Sequence, residues 1–386
     1  MTRVQGTWVT ARRTRAVLDI LTGNGAEALF VGGCVRNALL GFPVNDVDIA
    51  TDALPEDVMR WAGAAKLKTI PTGVQHGTVT VISSGAPFEI TTFRRDIETD
   101  GRRAVVSFSK EVAEDARRRD FTINALYAKP DGTVVDPLHG MIDLQARRVR
   151  FIEDAAKRIE EDYLRTLRFF RFSAWYGDPG LGYDQDALSA IATHLDGLEA
   201  LSKERVGSEV LKLLAAPDPS SAVATMRTTG VLNRILPGAD DRALGPLIDI
   251  EQNARAPADA LRRLAALSTD NHATHLRLSK AQSRLIGQLK DAAGSIMGPT
   301  ELGYRMGPQL AADALMLRSA LLETNFDEDT LTVAREASTA VFPVSAADLI
   351  DEYSGPRLGE RLAKLESAWI KSGFSLSKDE LLSRDT

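Results

Sequence analysis

The pattern of apolar and polar positions changes character near residue 150. Before that point short β-rich runs alternate with helical stretches. Leu29-Phe30-Val31 is an unbroken apolar run of the kind that forms a buried strand. Asp46-Val47-Asp48-Ile49-Ala50 alternates charged and apolar residues. Thr78 to Ile82 and Phe88 to Phe93 are rich in β-branched and aromatic residues and predict further strands. Thr122 to Ala128 and Thr133 to Val135 are weaker candidates. Between them, Leu54 to Ala65 opens with Pro55-Glu56-Asp57, a favourable first helical turn.

Beyond residue 150 the pattern is helical almost throughout. Leu, Ala, Arg and Glu dominate, and breaks fall at Gly177 to Gly182, Pro217 to Pro219, Pro237-Gly238, Gly298-Pro299 and Gly355-Pro356. No fixed-period repeat or low-complexity tract is present. The expected fold class is α+β: a small mixed β-sheet head at 1–150, a helical neck at 151–215, and a helical body and tail at 216–386.

Composition adds limits rather than detail. Of 386 residues, 44% are hydrophobic and 26% charged, which is ordinary for a globular protein with sizeable cores. The one cysteine, Cys34, excludes an intrachain disulfide and suits a reducing, cytoplasmic setting. No apolar run reaches the roughly 18 residues needed to span a bilayer. Arg3, Arg12, Arg13 and Arg15 precede the first acid, Asp19, as in an organelle transit peptide. The preferred reading is an amphipathic first helix that buries Val17, Leu18 and Leu21. The net charge of −6 excludes a uniformly basic surface, yet Arg94-Arg95, Arg102-Arg103, Arg117-Arg118-Arg119 and Arg147-Arg148 form local basic clusters able to meet phosphates.

The candidate chemistry starts at Phe30-Val31-Gly32-Gly33-Cys34-Val35-Arg36, a strand, two glycines and a helix start. Glycines there let backbone N–H groups approach a phosphate, and the helix N-terminus adds partial positive charge. Arg36 in the first helical turn is a further donor. A simple turn fits the same residues. Asp46 and Asp48, if both lie in one strand, share a face, and two like charges there call for a cation or for full solvation. Hard oxygen ligands suit Mg²⁺. Glu89, flanked by Phe88 and Ile90, is a candidate third acid, and equally an ordinary exposed strand residue.

In combination these residues resemble a known family, the class II tRNA nucleotidyltransferases and bacterial poly(A) polymerases. The resemblance rests on Gly32 to Arg36, Leu40-Gly41 and Asp46-Val47-Asp48. It continues with Arg118-Arg119-Asp120-Phe121-Thr122-Ile123-Asn124-Ala125, similar to an R-R-D-F-T-x-N-A motif. Glu161-Asp162-Tyr163-Leu164-Arg165, with Arg168 and Arg171, resembles an E-D-x-x-R recognition helix. Glu204 to Glu209 is similar to a neck-region motif. The matches cover roughly 28–215; the remainder is similar only in being helical. Asn37 stands where the family usually has Asp, so it is not counted as an anionic ligand, though it can still accept a hydrogen bond.

The resemblance implies a Mg²⁺-dependent enzyme that adds CCA to a tRNA 3′ end from CTP and ATP, with no membrane and no DNA partner. Asp46, Asp48 and Glu89 would be the catalytic, metal-holding acids. Gly33, Arg36, Arg119, Asp162, Arg165, Arg168 and Arg171 would bind nucleotide. Poly(A) synthesis, CC-only or A-only addition, and a non-catalytic RNA-binding role are the alternatives.

The E-D-x-x-R segment also has its own physical logic. Asp162 and Arg165 at i,i+3 are expected to share a helix face. Cytosine and adenine both offer an amino donor beside a ring-nitrogen acceptor, whereas uracil and guanine reverse the pair. A carboxylate only accepts and a guanidinium only donates, so an Asp–Arg pair suits C and A. The Glu161–Arg165 spacing also fits an ordinary helix salt bridge. Arg94 to Phe108, with Asp100-Gly101 at its centre, reads either as a mobile loop near the site or as a plain hairpin. Cys34 belongs to no nucleophile motif. His272 and His275 read as surface residues rather than metal ligands.

Overall fold

A computed structural model describes residues 2–100, 103–267 and 272–384, without the side chains of 96–100, 103–106 and 272. Gly101 and the side chain of His272 therefore lie outside the described residues. The chain divides into two compact units, Met1–Ile235 and Leu236–Thr386.

The first unit opens with α1 (Thr7–Thr10) and α2 (Arg12–Gly23), which buries Val17, Leu18 and Leu21 as its amphipathic pattern requires. The strand β1 (Ala28–Val31) is buried at all four positions, and it takes the middle of a sheet for that reason. The helix α3 (Gly33–Leu40) leads to β2 (Asp48–Thr51), and α4 (Pro55–Ala64) leads to β3 (Lys68–Gly73), β4 (Thr78–Ser83) and β5 (Ala86–Thr92). A two-stranded hairpin follows, β6 (Arg94–Asp100) with β7 (Arg103–Phe108), so the polar segment adopts the hairpin alternative. Then come α5 (Val112–Arg117), β8 (Tyr127–Ala128) and β9 (Val134–Val135). The main sheet has seven strands in the order β3-β4-β5-β2-β1-β8-β9.

Alternation along β1 divides its side chains between two layers. Leu29 and Val31 join Ala50, Phe93, Ala116, Tyr127 and Ile152 in one core cluster. Phe30 meets Trp8 edge-on, with ring centroids 4.8 Å apart. One sequence expectation changes here, and one strand appears that the pattern did not predict. Thr122 to Ala128 is not one strand: Thr122–Asn124 forms a buried 3₁₀ turn and only Tyr127–Ala128 pairs in the sheet. Lys68–Gly73, which lacks an apolar alternation and is mostly exposed, is nevertheless an edge strand.

The helical part of this unit comprises α6 (Gly140–Gln145), α7 (Ala155–Glu161), α8 (Leu164–Tyr176), α9 (Gln185–Thr193), α10 (Lys203–Leu214), α11 (Ser220–Thr228) and α12 (Val231–Ile235). Phenylalanines fasten α8 to the end of the β-rich part. Phe121 lies 4.9 Å from Phe151 and 5.2 Å from Phe172, and Phe151 stacks on Phe169 at 5.6 Å, ring centroid to centroid. Such ring pairs add about 0.5–1.5 kcal/mol each beyond area burial, so the first turns of α8 are firmly placed.

The second unit is helical, from α13 (Leu244–Asn253) and α14 (Ala260–Ala266) through α15 (His272–Leu276), α16 (Lys280–Gly294), α17 (Pro299–Met306), α18 (Pro308–Leu321), α19 (Asp329–Ala337) and α20 (Pro356–Lys371) to α21 (Lys378–Leu382). Among the described residues, no helix of the chain is long and apolar enough to cross a membrane.

Its core holds a charged network. Arg262, 1% exposed, donates from Nε to Glu251 at 2.8 Å, from Nη2 to the Pro257 carbonyl at 2.7 Å, and from Nη1 to Asp313. Arg263 donates from Nε to the other Glu251 oxygen at 2.8 Å. Removing one member of such a buried set strands the charges left behind, at a cost of about 3–5 kcal/mol. Glu251→Ala is therefore expected to lower the melting temperature sharply in a calorimetric scan. A melting curve unchanged from the parent would show that the network carries no stability.

Candidate functional site

The site begins where β1 ends. Gly32 sits at φ 69°, ψ −118°, a conformation closed to residues with a side chain. Its N–H donates to the Leu126 carbonyl at 3.0 Å, which fixes the turn to the neighbouring β8 segment. A Cβ at Gly32 would lie 3.5 Å from Arg119 Nη1. Gly33 opens α3, so the first N–H groups of that helix are gathered at the strand end, an arrangement suited to phosphate.

The acids come together through sheet register. β2 runs parallel to β5 with Asp48 directly beside Glu89. Asp46 is not in the strand, which begins at Asp48; the expected two-residue strand face is replaced by an exposed approach segment ahead of β2. Asp46 is nonetheless near enough to act on Asp48. Burial, then Glu89 and then Asp46 push the Asp48 carboxyl up, against the pull of Arg119, to about 6. Two like charges beside a half-buried carboxylate fit a divalent cation, and oxygen-only donors suit a hard one. Among the described residues no three acids, histidines or cysteines close into a finished cage. Two carboxylates, with phosphate oxygens and water completing the shell, are the usual provision for Mg²⁺.

Arg119 stands between the glycine turn and these acids. Its Nε and Nη2 donate to Asp115 at 3.2 and 2.9 Å, and Nε also reaches the Tyr127 hydroxyl at 3.0 Å. Tyr127 in turn donates to Asp115 at 2.7 Å. The Asp115 carboxyl is held down to about 2: burial opposes this, but Arg119 and Arg118 outweigh it. The guanidinium is thus clamped on one edge, and Nη1 is turned toward Gly32. Asp115 and Tyr127 were missed from sequence; the i,i+4 spacing of Asp115 and Arg119 was the available signal.

Arg36 is placed differently from a free phosphate ligand. It is 6% exposed, and it donates to Asn37 Oδ1 from Nε and Nη2 at 3.2 and 2.8 Å, to the Tyr176 hydroxyl at 2.8 Å, and to Asn124 Oδ1. Its guanidinium also lies 4.0 Å from the Tyr176 ring centroid. Asn37 completes the arrangement by donating from Nδ2 to the Pro43 carbonyl at 3.0 Å. Cys34 is buried, with Sγ 3.4 Å from the Val31 carbonyl, and burial pushes its thiol to about 11, consistent with a packed residue and not a nucleophile.

Asp162 and Arg165, expected on one helix face, do not share one, and their side chains have separate partners. α7 stops at Glu161, and Asp162 is extended at φ −158°. Asp162 lies ahead of α8, where its Oδ1 accepts from the Leu164 N–H at 3.1 Å and its carbonyl accepts from the Arg165 N–H at 2.9 Å. Aspartate competes poorly inside helices and well at their starts, so the helix breaks there. Asp162 Oδ2 accepts from Arg205 at 2.6 Å. Arg165 pairs with Glu161 and donates to the carbonyls of Arg158 at 2.9 Å and Arg118 at 3.1 Å. Arg168 donates to Asp120 at 2.7 Å, and Arg171 pairs with Glu209 at 2.9 Å. Asp120 is held down to about 2; burial raises it, and Arg168 and Asn124 more than compensate.

The chain is similar to known proteins in sequence and fold. Residues 28–150 match the poly A polymerase head domain, and residues 180–242 match the family described as the probable RNA and SrmB- binding site of polymerase A. The chain is 32% identical to the CCA tRNA nucleotidyltransferase 1, mitochondrial, of Mus musculus, over 96% of this chain and 88% of that protein. It is 33% identical to the CCA-adding enzyme of Streptococcus uberis, over 92% and 91% of the two chains. The crystal structure of the Bacillus stearothermophilus CCA-adding enzyme in complex with CTP superposes with a TM-score of 0.76 at 30% identity, covering 95% of this chain and 94% of that one.

The raised Asp48 carboxyl has a consequence for stability. A folded-state value of about 6 against an ordinary 3.8 means that the folded protein holds this proton more tightly than the unfolded chain. The resulting stabilisation is complete at low pH and is lost as pH rises through about 6. In EDTA, Asp48→Asn is expected to melt about 2–4 °C above the parent at pH 7. That advantage should vanish near pH 4. An equal difference at both pH values would contradict the crowding of Asp48 by its acidic neighbours.

Proposed function

Because the chain belongs to the family of CCA-adding tRNA nucleotidyltransferases, we propose that it adds C, C and A to the tRNA 3′ end from CTP and ATP, releasing pyrophosphate. The observation that carries this reading is the meeting, at one end of a sheet, of the Gly32 turn, the clamped Arg119 and the Asp48–Glu89 register pair. Enzymes of this family are generally dependent on a divalent metal; here the ion would be Mg²⁺, and Asp46 and Asp48 with Glu89 would hold it. When bound, it supplies the positive charge that favours an ionised RNA 3′-oxygen and stabilises the leaving pyrophosphate.

The chain's own residues do the rest. The N–H of Gly33 and the start of α3 hold the triphosphate. Arg119, pre-aimed by Asp115 and Tyr127, contacts the ribose or phosphate edge next to the acids. Asp162 accepts from the exocyclic amine of cytosine or adenine and Arg165 donates to the ring nitrogen, a pattern that uracil and guanine cannot satisfy. Arg168 and Arg171 extend the cationic stripe along α8, and Arg36 ties the phosphate helix to the far end of α8 through Tyr176. The helical neck at 151–215 carries base choice, and the helical residues at 216–386 grip the RNA by backbone and shape. The reaction belongs in the cytoplasm, a setting that suits the single buried thiol of Cys34.

Substrate tRNAs ending before the first C, before the second C and before A, each offered one labelled nucleotide at a time, test the product. Addition should run C, C, A and then stop; long A tracts on any RNA would overturn the reading. Asp46→Ala and Asp48→Ala should each reduce addition by at least about 100-fold with the fold intact by circular dichroism. Near-parental incorporation by either would remove the metal assignment. Asp162→Ala should lower discrimination against UTP and GTP by about 10-fold or more.

A further inference from the structure

The neck segment Glu204 to Glu209 has no part in the mechanism as derived, yet it sends two side chains to the base-reading region. Arg205 and Glu209 are four residues apart on α10 and so occupy one face. Arg205 meets Asp162, and Glu209 meets Arg171. We infer that Arg205 is a specificity-determining positioning residue, which sets the choice of CTP and ATP by fixing the orientation of the Asp162 carboxylate. The inference rests on the proposed base-reading role of Asp162.

The case is geometric. Asp162 lies outside any helix, with an extended backbone, so no helical neighbours restrict its side chain. Two bonds do so instead. Oδ1 is held at 3.1 Å by the Leu164 N–H, and Oδ2 at 2.6 Å by Arg205 Nη2. The two side chains are 25% and 26% exposed, so the pair is shielded enough for a charge-assisted bond to hold direction. Each carboxylate oxygen has two acceptor positions. One on each is taken, and those left over point in a single fixed pattern. Without Arg205, only the bond to the nearby backbone remains, and the carboxylate can turn about it. A turning acceptor still binds an amine, but it no longer aims at the place where cytosine and adenine carry theirs. Arg205 need not touch the nucleotide for this.

Glu209 supplies the control. Its bridge to Arg171 ties the same two helices but leaves Asp162 alone. A role confined to holding α8 against α10 would therefore appear in both variants.

The test measures kcat/KM for CTP and UTP on tRNA lacking CCA, and for ATP and GTP on tRNA ending in CC, with the full chain. Arg205→Met keeps the aliphatic stem and removes the donor, and it should reduce both discrimination ratios about tenfold. Arg205→Lys should restore part of the loss. Glu209→Gln should leave the ratios within twofold of the parent. On an Asp162→Ala background, Arg205→Met should change them little further. Parental ratios in Arg205→Met, where Asp162→Ala has altered them, would overturn this inference and spare the base-reading role. Parental ratios in Asp162→Ala would overturn both. Equal losses for right and wrong nucleotides in Arg205→Met and Glu209→Gln would reduce Arg205 to structural glue.

Discussion

The parallel pairing of β2 with β5 sets the terms for everything around it. Register alone places Asp48 against Glu89. The same register brings a carboxylate that is already half-buried into the field of a second acid, and Asp46 adds a third from the approach segment. Repulsion of this kind opposes the folded state near neutral pH unless a cation or a bound proton relieves it. A one-residue slip would turn Asp48 to the opposite face and dissolve the cluster. Ile49 and Ala50 point to opposite faces of β2 and both are buried, so the strand is packed on both sides and cannot slip without repacking both layers. Hydrophobic burial thus holds an electrostatically unfavourable group in place.

Around the acids, the cations are restrained rather than left loose. Arg119 is held by Asp115 and Tyr127, Arg168 by Asp120, Arg171 by Glu209, and Arg36 by Asn37, Asn124 and Tyr176. Each pairing limits the rotamer freedom of a long side chain before any ligand arrives. The arrangement also explains how Asn37 serves where an acid is usual. Arg36 only donates, so Oδ1 must face it, and Nδ2 is left to donate to the Pro43 carbonyl. An aspartate would present a second oxygen to that carbonyl.

Much of this was legible in the sequence, for identifiable reasons. β1, β4, β5 and α4 carry strong local signals, an apolar run, β-branched residues and a Pro-Glu-Asp start, and they form where those signals lie. The glycine turn and the three acids could be named because each residue type has few structural uses in that order. What was not legible depends on partners that the local pattern does not name. β3 has no pattern of its own and is a strand because β4 offers it an edge. The clamp on Arg119 needs Tyr127, whose hydroxyl position is set by the sheet. The local sequence of Arg36 likewise says nothing of Tyr176, 140 residues away.

The error at Asp162 has the most to teach about selection. A residue inside a helix takes its direction from its neighbours along the face. A residue ahead of a helix takes it from whatever it caps and whatever meets it from outside. Asp162 does both, since it satisfies an N–H at the start of α8 and receives Arg205 from α10. On the proposed base-reading role, the same carboxylate that ends one helix and begins the next is the acceptor offered to the incoming base. Its geometry is inherited from the joint between helices, so on that reading a change in the joint alters which base fits without any change in the residues that touch it. Base choice, on the same reading, is a property of packing in the neck as well as of Asp162 and Arg165 themselves.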